Sequence, residues 1–267
     1  MKTLINGIEQ TTIDVRDRGF QYGDGLFETI AYKNNQLQLW DAHLARLQQG
    51  CERLMLNVVD ETQWLADIKN LQLSDDAVIK LSISRGVSGR GYGYNDDHTV
   101  TRVTASYPVP DYPQSNSQGI KAIFCKTPLS INSALAGIKH LNRLDNVLAR
   151  NEWHDSDISE GFMFDNQGHI IEGTMSNVFC VLGDELYTPA LKQGGVAGVM
   201  RQQVIDLAQA LNIPVNIVDI SKPNFLQMDG LFITNSIIGI WPVKELENKK
   251  FQYSELIKRL QDELAIN

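Results

Sequence analysis

Ala136-Gly137-Ile138-Lys139-His140-Leu141-Asn142-Arg143-Leu144-Asp145-Asn146-Val147-Leu148-Ala149-Arg150 sets a single lysine directly after a Gly-Ile pair, and Leu144, Val147 and Leu148 then recur at helical spacing. The spacing predicts an amphipathic helix that runs out before Asp157, with Lys139 at its entrance. In a run rich in leucine and isoleucine the amine can lose water while the packed helix holds its backbone. Desolvation disfavours the ammonium form, which is how a lysine becomes a nucleophile. The same pattern also suits a lysine whose stem lies on apolar surface while its amine reaches water. The surrounding chain has to decide between the two.

On the C-terminal side, residues 161–165, a turn at Asn166-Gln167-Gly168 and residues 169–172 read as a hairpin, and 176–182 as a further strand. Glu172 therefore ends a strand beside two isoleucines and Gly173. Exposed, it is an ordinary edge carboxylate; buried, it needs a cationic partner. Gly194-Gly195-Val196-Ala197-Gly198-Val199-Met200-Arg201 leads into a helix with the stripe Met200, Val204, Leu207, Ala208, Leu211. A glycine-rich approach to a helix N-terminus offers backbone N–H groups and the positive end of the dipole to an anion, although capping accounts for the glycines equally. Residues 231–243 are strand-like with hydroxyls in their middle, and 254–265 form a closing helix.

Upstream, residues 120–126 read as a strand, preceded by Pro108, Pro110 and Pro113 among small polar residues, the composition of a linker. The expected division is an N-terminal domain at 1–110, a linker at 111–119 and a C-terminal domain at 120–267. Within the first, residues 3–9 form a hairpin about Asn6-Gly7, and three glycines in 17–30 feed a strand that carries Glu28. A helix starts with Asp41 as N-cap and the stripe Leu44, Leu47, Cys51, Leu54; Arg46 lies beside that stripe and by itself reads as solvated. After an amphipathic stretch at 64–71 and a strand at 77–84 comes the glycine-rich loop 85–94, then a strand at 100–107. The loop has neither a Gly-Lys-Ser/Thr ending nor GxGxxG. It is a flexible hairpin tip or a mobile flap whose Arg85 and Arg90 suit carboxylates.

The 267 residues are 43% hydrophobic, enough for a substantial core, and the net charge of −8 argues against nucleic-acid partners. Cys51, Cys125 and Cys180 are odd in number and widely spaced, which fits a reducing compartment; with no signal-like or membrane-length apolar run, a cytoplasmic protein is expected. The five histidines form no compact ligand pattern, so no metal is expected, and no GxSxG elbow supports a serine hydrolase.

Residues 17–30, His43-Leu44-Ala45-Arg46, Gly137 to Leu144, Glu172-Gly173-Thr174-Met175-Ser176-Asn177, Gly198-Val199-Met200-Arg201 and the hydroxyl-bearing stretch at 233–243 occur in the order seen in fold-type IV pyridoxal-phosphate enzymes. The chain resembles that family over nearly its whole length, and the Lys139 segment with the loop at 84–92 looks most like its aminodeoxychorismate-lyase branch. The resemblance implies a two-domain α/β (α+β) fold, smaller N-terminal and larger C-terminal, with pyridoxal 5′-phosphate between the domains. It implies Lys139 as the lysine that carries the cofactor; Arg46, the N–H groups of Val199 and Met200, Asn235 and Ser236 around its phosphate; Glu172 on the pyridine nitrogen; and Val196 against the ring. Arg85, Arg90 and Glu28 are then candidates for the substrate. It further implies a homodimer that converts 4-amino-4-deoxychorismate to 4-aminobenzoate and pyruvate in folate biosynthesis. The acidic Glu28 after Phe27 also resembles the D-amino acid and branched-chain aminotransferases on the same fold, and a non-catalytic dimeric binding protein is the third reading.

Overall fold

Asn6 and Gly7, both at positive φ (52° and 85°), make the tight turn between β1 (Thr3–Ile5) and β2 (Ile8–Glu9) in the computed structural model, which describes residues 1–95 and 97–266. The chain divides into two units, Met1–Asp111 with Ile138–Asn142, and Tyr112–Gly137 with the chain from Arg143 onward.

In the first unit, the stretch that reads as a bare turn holds the short helix α1 (Arg18–Tyr22), capped by Asp17, whose carboxylate accepts the N–H of Gly19. Five residues are too few to show a periodic stripe. Then follow β3 (Gly25–Lys33), β4 (Gln36–Leu37), α2 (Trp40–Leu54), α3 (Glu61–Asn70), β5 (Ala77–Ser84) and β6 (Thr101–Pro108). Among the described residues the strands form an antiparallel six-stranded sheet in the order β2-β1-β6-β5-β3-β4. Asp41 does not cap α2: the cap is Leu39 in left-handed conformation (φ 54°), and Asp41 lies in the first turn, where its charge suits the dipole. Leu44, Leu47 and Cys51 are buried as their spacing requires, and Trp64 and Ile68 of α3 are buried too.

The second unit opens with a 3₁₀ helix (Gln114–Gln118), so part of the stretch that reads as a linker has regular structure. Tyr112 meets the Trp241 ring edge-on at 4.9 Å, and the Ser117 carbonyl accepts Gln261 Nε2 at 3.0 Å. The further elements are β7 (Ile120–Phe124), α4 (Leu144–Arg150), β8 (Ile158–Phe164), β9 (His169–Gly173), β10 (Asn177–Leu182), β11 (Glu185–Pro189), α5 (Val199–Ala210), β12 (Val215–Val218), β13 (Ile220–Ser221), α6 (Lys222–Gln227), β14 (Gly230–Asn235), β15 (Gly239–Leu246), β16 (Lys249–Lys250) and α7 (Glu255–Ile266). The strand-like run at 231–243 is thus a hairpin, β14 and β15, whose turn takes the hydroxyl-bearing Ser236.

Among the described residues its ten strands follow the order β12-β11-β10-β14-β15-β7-β8-β9-β13, with β16 on β15. The strands at the two ends of that order, β12 and β13, are separated in the chain by Asp219 alone, so the sheet curls round its own core. Inside lie Phe162, Ile170, Val178, Leu231 and Ile233; outside, Phe179 and Phe232 stack with centroids 5.0 Å apart beneath α5 and α7. Both faces of β10 are therefore covered, which is why Val178-Phe179-Cys180-Val181 reads as a continuous apolar run.

The opening stretch folds differently from its spacing. Helix α4 begins only at Leu144, and Lys139 belongs to an extended segment that pairs with β3: Phe27 N–H donates to the Lys139 carbonyl and Leu141 N–H to the Gly25 carbonyl, each at 2.9 Å. Leu144, Val147 and Leu148 are exposed (75%, 53% and 60%), while Ala149 is the residue α4 buries. Cys51, Cys125 and Cys180 are free and buried; burial pushes the Cys51 thiol up to about 11, the Cys125 thiol to about 12, and Cys180 up as well. Among the described residues no helix is long and apolar enough to cross a membrane.

Candidate active site

Glu172 sits near the end of β9, buried with Ile170, Ile171 and Gly173. Its Oε2 accepts the N–H of Val196 at 2.8 Å. Val196 is fixed in turn: its carbonyl accepts Asn177 Nδ2 at 2.8 Å, and it forms a parallel bridge with Gly137. Gly137 N–H donates to the Gly195 carbonyl and Ala197 N–H to the Gly137 carbonyl, both at 2.9 Å. Gly137 lies two residues before Lys139 in the chain.

Helix α5 starts at Gly198, its N-cap, where a Cβ would stand 2.0 Å from Asn177 Oδ1. Only glycine allows that approach. No side chain caps the helix, so Val199 and Met200 open it with N–H groups that have no intrahelical acceptor. In the β14–β15 turn Asn235 Oδ1 accepts the N–H groups of Ile237 and Ile238 at 2.9 and 3.0 Å, with half-buried Ser236 between. Asn177, which braces Val196, also pairs with Thr234 at the entry to that turn. Uncapped N–H groups at a helix N-terminus suit an anion such as a phosphate ester, as a serine hydroxyl does, and the buried Glu172 carboxylate suits a cationic ring N–H.

In the first unit Lys139 is half-buried, with Nζ 4.3 Å from the centroid of the Phe27 ring, whose face replaces part of its water. Arg46 does not read as the sequence suggests. Its Nε donates to Glu28 Oε1 at 2.7 Å and its Nη2 to Glu28 Oε2, while His43 Nδ1 stands 2.7 Å from the same Oε2. Glu28 is 1% exposed, so it is a buried brace of Arg46 and not a surface that meets substrate. Burial alone would raise its carboxyl, but the charge of Arg46 and the hydrogen bonds of His43 and Arg46 outweigh that and hold it below the usual range.

Arg85 is also committed elsewhere than expected. It is 3% exposed, binds Asp24 through Nε (2.8 Å) and Nη2 (3.1 Å), donates to the Leu54 and Met55 carbonyls at 2.7 and 2.8 Å, and lies 3.7 Å from the Tyr94 ring centroid. Asp24 also takes Arg18 Nε at 2.8 Å. Burial pushes the Asp24 carboxyl up, and the two guanidiniums overcome it and hold it low. Arg18 then fastens the glycine loop, donating to the carbonyls of Gly91 and Tyr92 at 2.9 and 3.0 Å, so the middle of the loop is latched to the unit. Arg90 remains exposed on that loop.

Glu172, Val196, Val199, Met200, Asn235 and Ser236 thus fall in the second unit, and Lys139, Arg46, Glu28, Arg85 and Arg90 in the first. Asn177, His43, Asp24 and Arg18 escaped the sequence reading as supports. The signal for Asn177 was its place in the Glu172-to-Asn177 string; His43, Asp24 and Arg18 likewise lie in the strings at 43–46 and 17–30, but Arg85 stands 61 residues from Asp24 and Glu28 15 from His43.

The Amino-transferase class IV family is matched over residues 25–246. The chain is 36% identical to an aminodeoxychorismate lyase of Vibrio harveyi, covering 97% of this chain and 98% of that one. It is 26% identical to a D-alanine aminotransferase of Listeria monocytogenes (strain 10403S), covering 92% and 88%. Among solved structures, 4-amino-4-deoxychorismate lyase from Pseudomonas aeruginosa superposes with a TM-score of 0.95 at 38% identity, covering 99% of this chain and 98% of that one.

Proposed function

Because the chain belongs to the class IV aminotransferase family, we propose that it is a pyridoxal-phosphate-dependent lyase that converts 4-amino-4-deoxychorismate to 4-aminobenzoate and pyruvate, a step of folate biosynthesis. The likeness to the Vibrio and Pseudomonas lyases over almost the whole chain carries the choice of reaction. The residues fit the cofactor: an uncapped helix N-terminus for its phosphate and a buried carboxylate for its ring nitrogen.

Pyridoxal phosphate, when bound, supplies a carbonyl carbon that takes up amines and a protonated ring that accepts electrons. The N–H groups of Val199 and Met200, the Asn235-Ser236 turn and Arg46 hold its phosphate, with Glu28 keeping Arg46 aimed. Glu172 keeps the ring nitrogen protonated, and Val196 packs on the ring. Lys139 anchors the group through Nζ. With Nζ released as a neutral amine, Lys139 would be the base that takes the proton from the substrate carbon carrying the amino group. The ether bond to the enolpyruvyl group then breaks, the ring becomes aromatic, and the departing enolate takes up a proton on its methylene carbon to become pyruvate. Arg90 is the remaining candidate for a substrate carboxylate.

We infer a homodimer as well, because Leu144, Val147 and Leu148 share one exposed face of α4, which suits a self-complementary contact. The three free thiols favour the cytoplasm.

The test incubates cofactor-loaded protein with 4-amino-4-deoxychorismate beside Lys139→Ala, and the sedimenting mass of the same preparation checks the dimer. Pyruvate and 4-aminobenzoate should form in equal amounts, and the variant should lose about a thousandfold or more of the rate. Absence of both products while D- or branched-chain amino acids are turned into keto acids would replace the lyase by an aminotransferase.

A further inference from the structure

Glu160 lies in β8, 0% exposed, and its carboxylate collects neutral donors in place of a cation. Oε1 accepts the N–H groups of Gly161 and Thr174, each at 2.9 Å, and the Thr174 hydroxyl at 2.6 Å. Oε2 accepts the Ser176 hydroxyl at 2.6 Å and, longer, the Met175 N–H at 3.4 Å. All but the Gly161 N–H come from one tight turn, residues 173–176. The turn is closed by Gly173 N–H on the Ser176 carbonyl at 2.7 Å, and a Cβ at Gly173 would meet Ser176 Oγ at 2.5 Å and Glu160 Oε2 at 2.6 Å.

That turn supports three parts of the candidate site. Glu172 is the residue just before it. The Thr174 carbonyl accepts Asn146 Nδ2 at 3.0 Å, from α4, the helix that follows the Lys139 segment. The Met175 carbonyl accepts Asn235 Nδ2 at 3.1 Å, and the Oδ1 of the same side chain organises the turn that carries Ser236. We propose that Glu160 is a positioning residue of the cofactor site, aiming Glu172 and the Ser236 turn together through the 173–176 turn. This rests on the pyridoxal-phosphate reading above.

The chemistry requires two acceptor oxygens, which a carboxyl group supplies and an amide does not. Hydroxyls can rotate from donor to acceptor, but backbone N–H groups cannot. An amide at 160 sets its NH₂ either against the N–H groups of Gly161 and Thr174 or against that of Met175, and the turn must shift. The shape of the side chain is otherwise kept.

The experiment takes wild type, Glu160→Gln, Ser176→Ala, Glu172→Gln and the Glu160→Gln/Glu172→Gln pair as folded apo-proteins, checked by thermal melting. Pyridoxal phosphate is titrated in, and the pH midpoint of the bound cofactor's visible absorption band is recorded. Glu160→Gln and Ser176→Ala should retain the cofactor about tenfold less well, which is ~1.4 kcal/mol, and shift the midpoint in the direction that Glu172→Gln shifts it. The pair should add little to Glu172→Gln alone, since both act through one group. Should Glu160→Gln not fold, Ser176→Ala carries the same test. Normal retention and midpoint in the variants, or weaker retention at an unchanged midpoint, overturns the proposal alone. No uptake by wild type overturns the cofactor reading and the proposal with it.

Discussion

Glu28 and Glu160 are the same side chain at the same depth, 1% and 0% exposed, yet their surroundings are opposite. Glu28 is met by Arg46 and His43; Glu160 is met by hydroxyls and backbone N–H groups. Burial pushes both carboxyls up. Charge overcomes burial at Glu28, which ends below the ordinary range, whereas hydrogen bonds from Ser176 and Thr174 only offset it at Glu160, which ends above. A charged partner therefore fixes an ion and ties two helical residues to one strand, while neutral donors fix a shape, here one turn of backbone.

The strongest way to break this contrast is to remove the charge. Arg46→Ala leaves Glu28 buried against His43 alone, and urea unfolding should show a loss of about 3–5 kcal/mol. A loss under about 1 kcal/mol would mean that Glu28 does not depend on its cation. At the other carboxylate, Thr174→Val removes one hydroxyl donor while the N–H groups stay, so the loss should be smaller, about 1–3 kcal/mol by the same measurement.

The finest test is pH. The folded carboxyl of Glu28 lies below its ordinary 4.5, so its contribution is complete above that value and is lost as pH falls through the folded pKa. The folded carboxyl of Glu160 lies above its ordinary 4.5, so its contribution is complete below that value and is lost as pH rises through the folded pKa. Melting profiles across the pH range should thus separate: Glu28→Gln loses most against wild type above the carboxylate range, and Glu160→Gln against wild type at its acid end. Parallel profiles would make the two sites equivalent.

How much of this was legible follows the same division between charge and shape. Lys139 and Glu172 stood out because each lies in a short string of ordered neighbours. Arg85 stood out too, but as a candidate for substrate; its buried commitment was not legible, because two of its acceptors are the carbonyls of Leu54 and Met55, about thirty residues away, and no local pattern announces a carbonyl. The 231–243 run read as one strand because isoleucines and aromatic residues, all strand formers, flank Thr234-Asn235-Ser236 on both sides; the turn is imposed by Asn235, whose side chain gathers the N–H groups of Ile237 and Ile238. Periodicity correctly found a common face in Leu144, Val147 and Leu148, but a period names a face without naming what covers it. Glu160 fell just before the strand read at 161–165 and drew no reading, since only the third dimension brings residues 174–176 over it.

The buried cysteines make the protein its own recorder of partial opening. With the Cys51 thiol raised to about 11 and the Cys125 thiol to about 12, hardly any thiolate exists near neutrality, and a disulfide reagent must wait for the chain around each sulfur to open. Cys51 lies in α2 of the first unit, and Cys125 and Cys180 lie in the second. Labelling rates read residue by residue therefore time the breathing of each unit separately, in the natural sequence, and a rate common to all three sulfurs marks the point at which local opening gives way to a single global event.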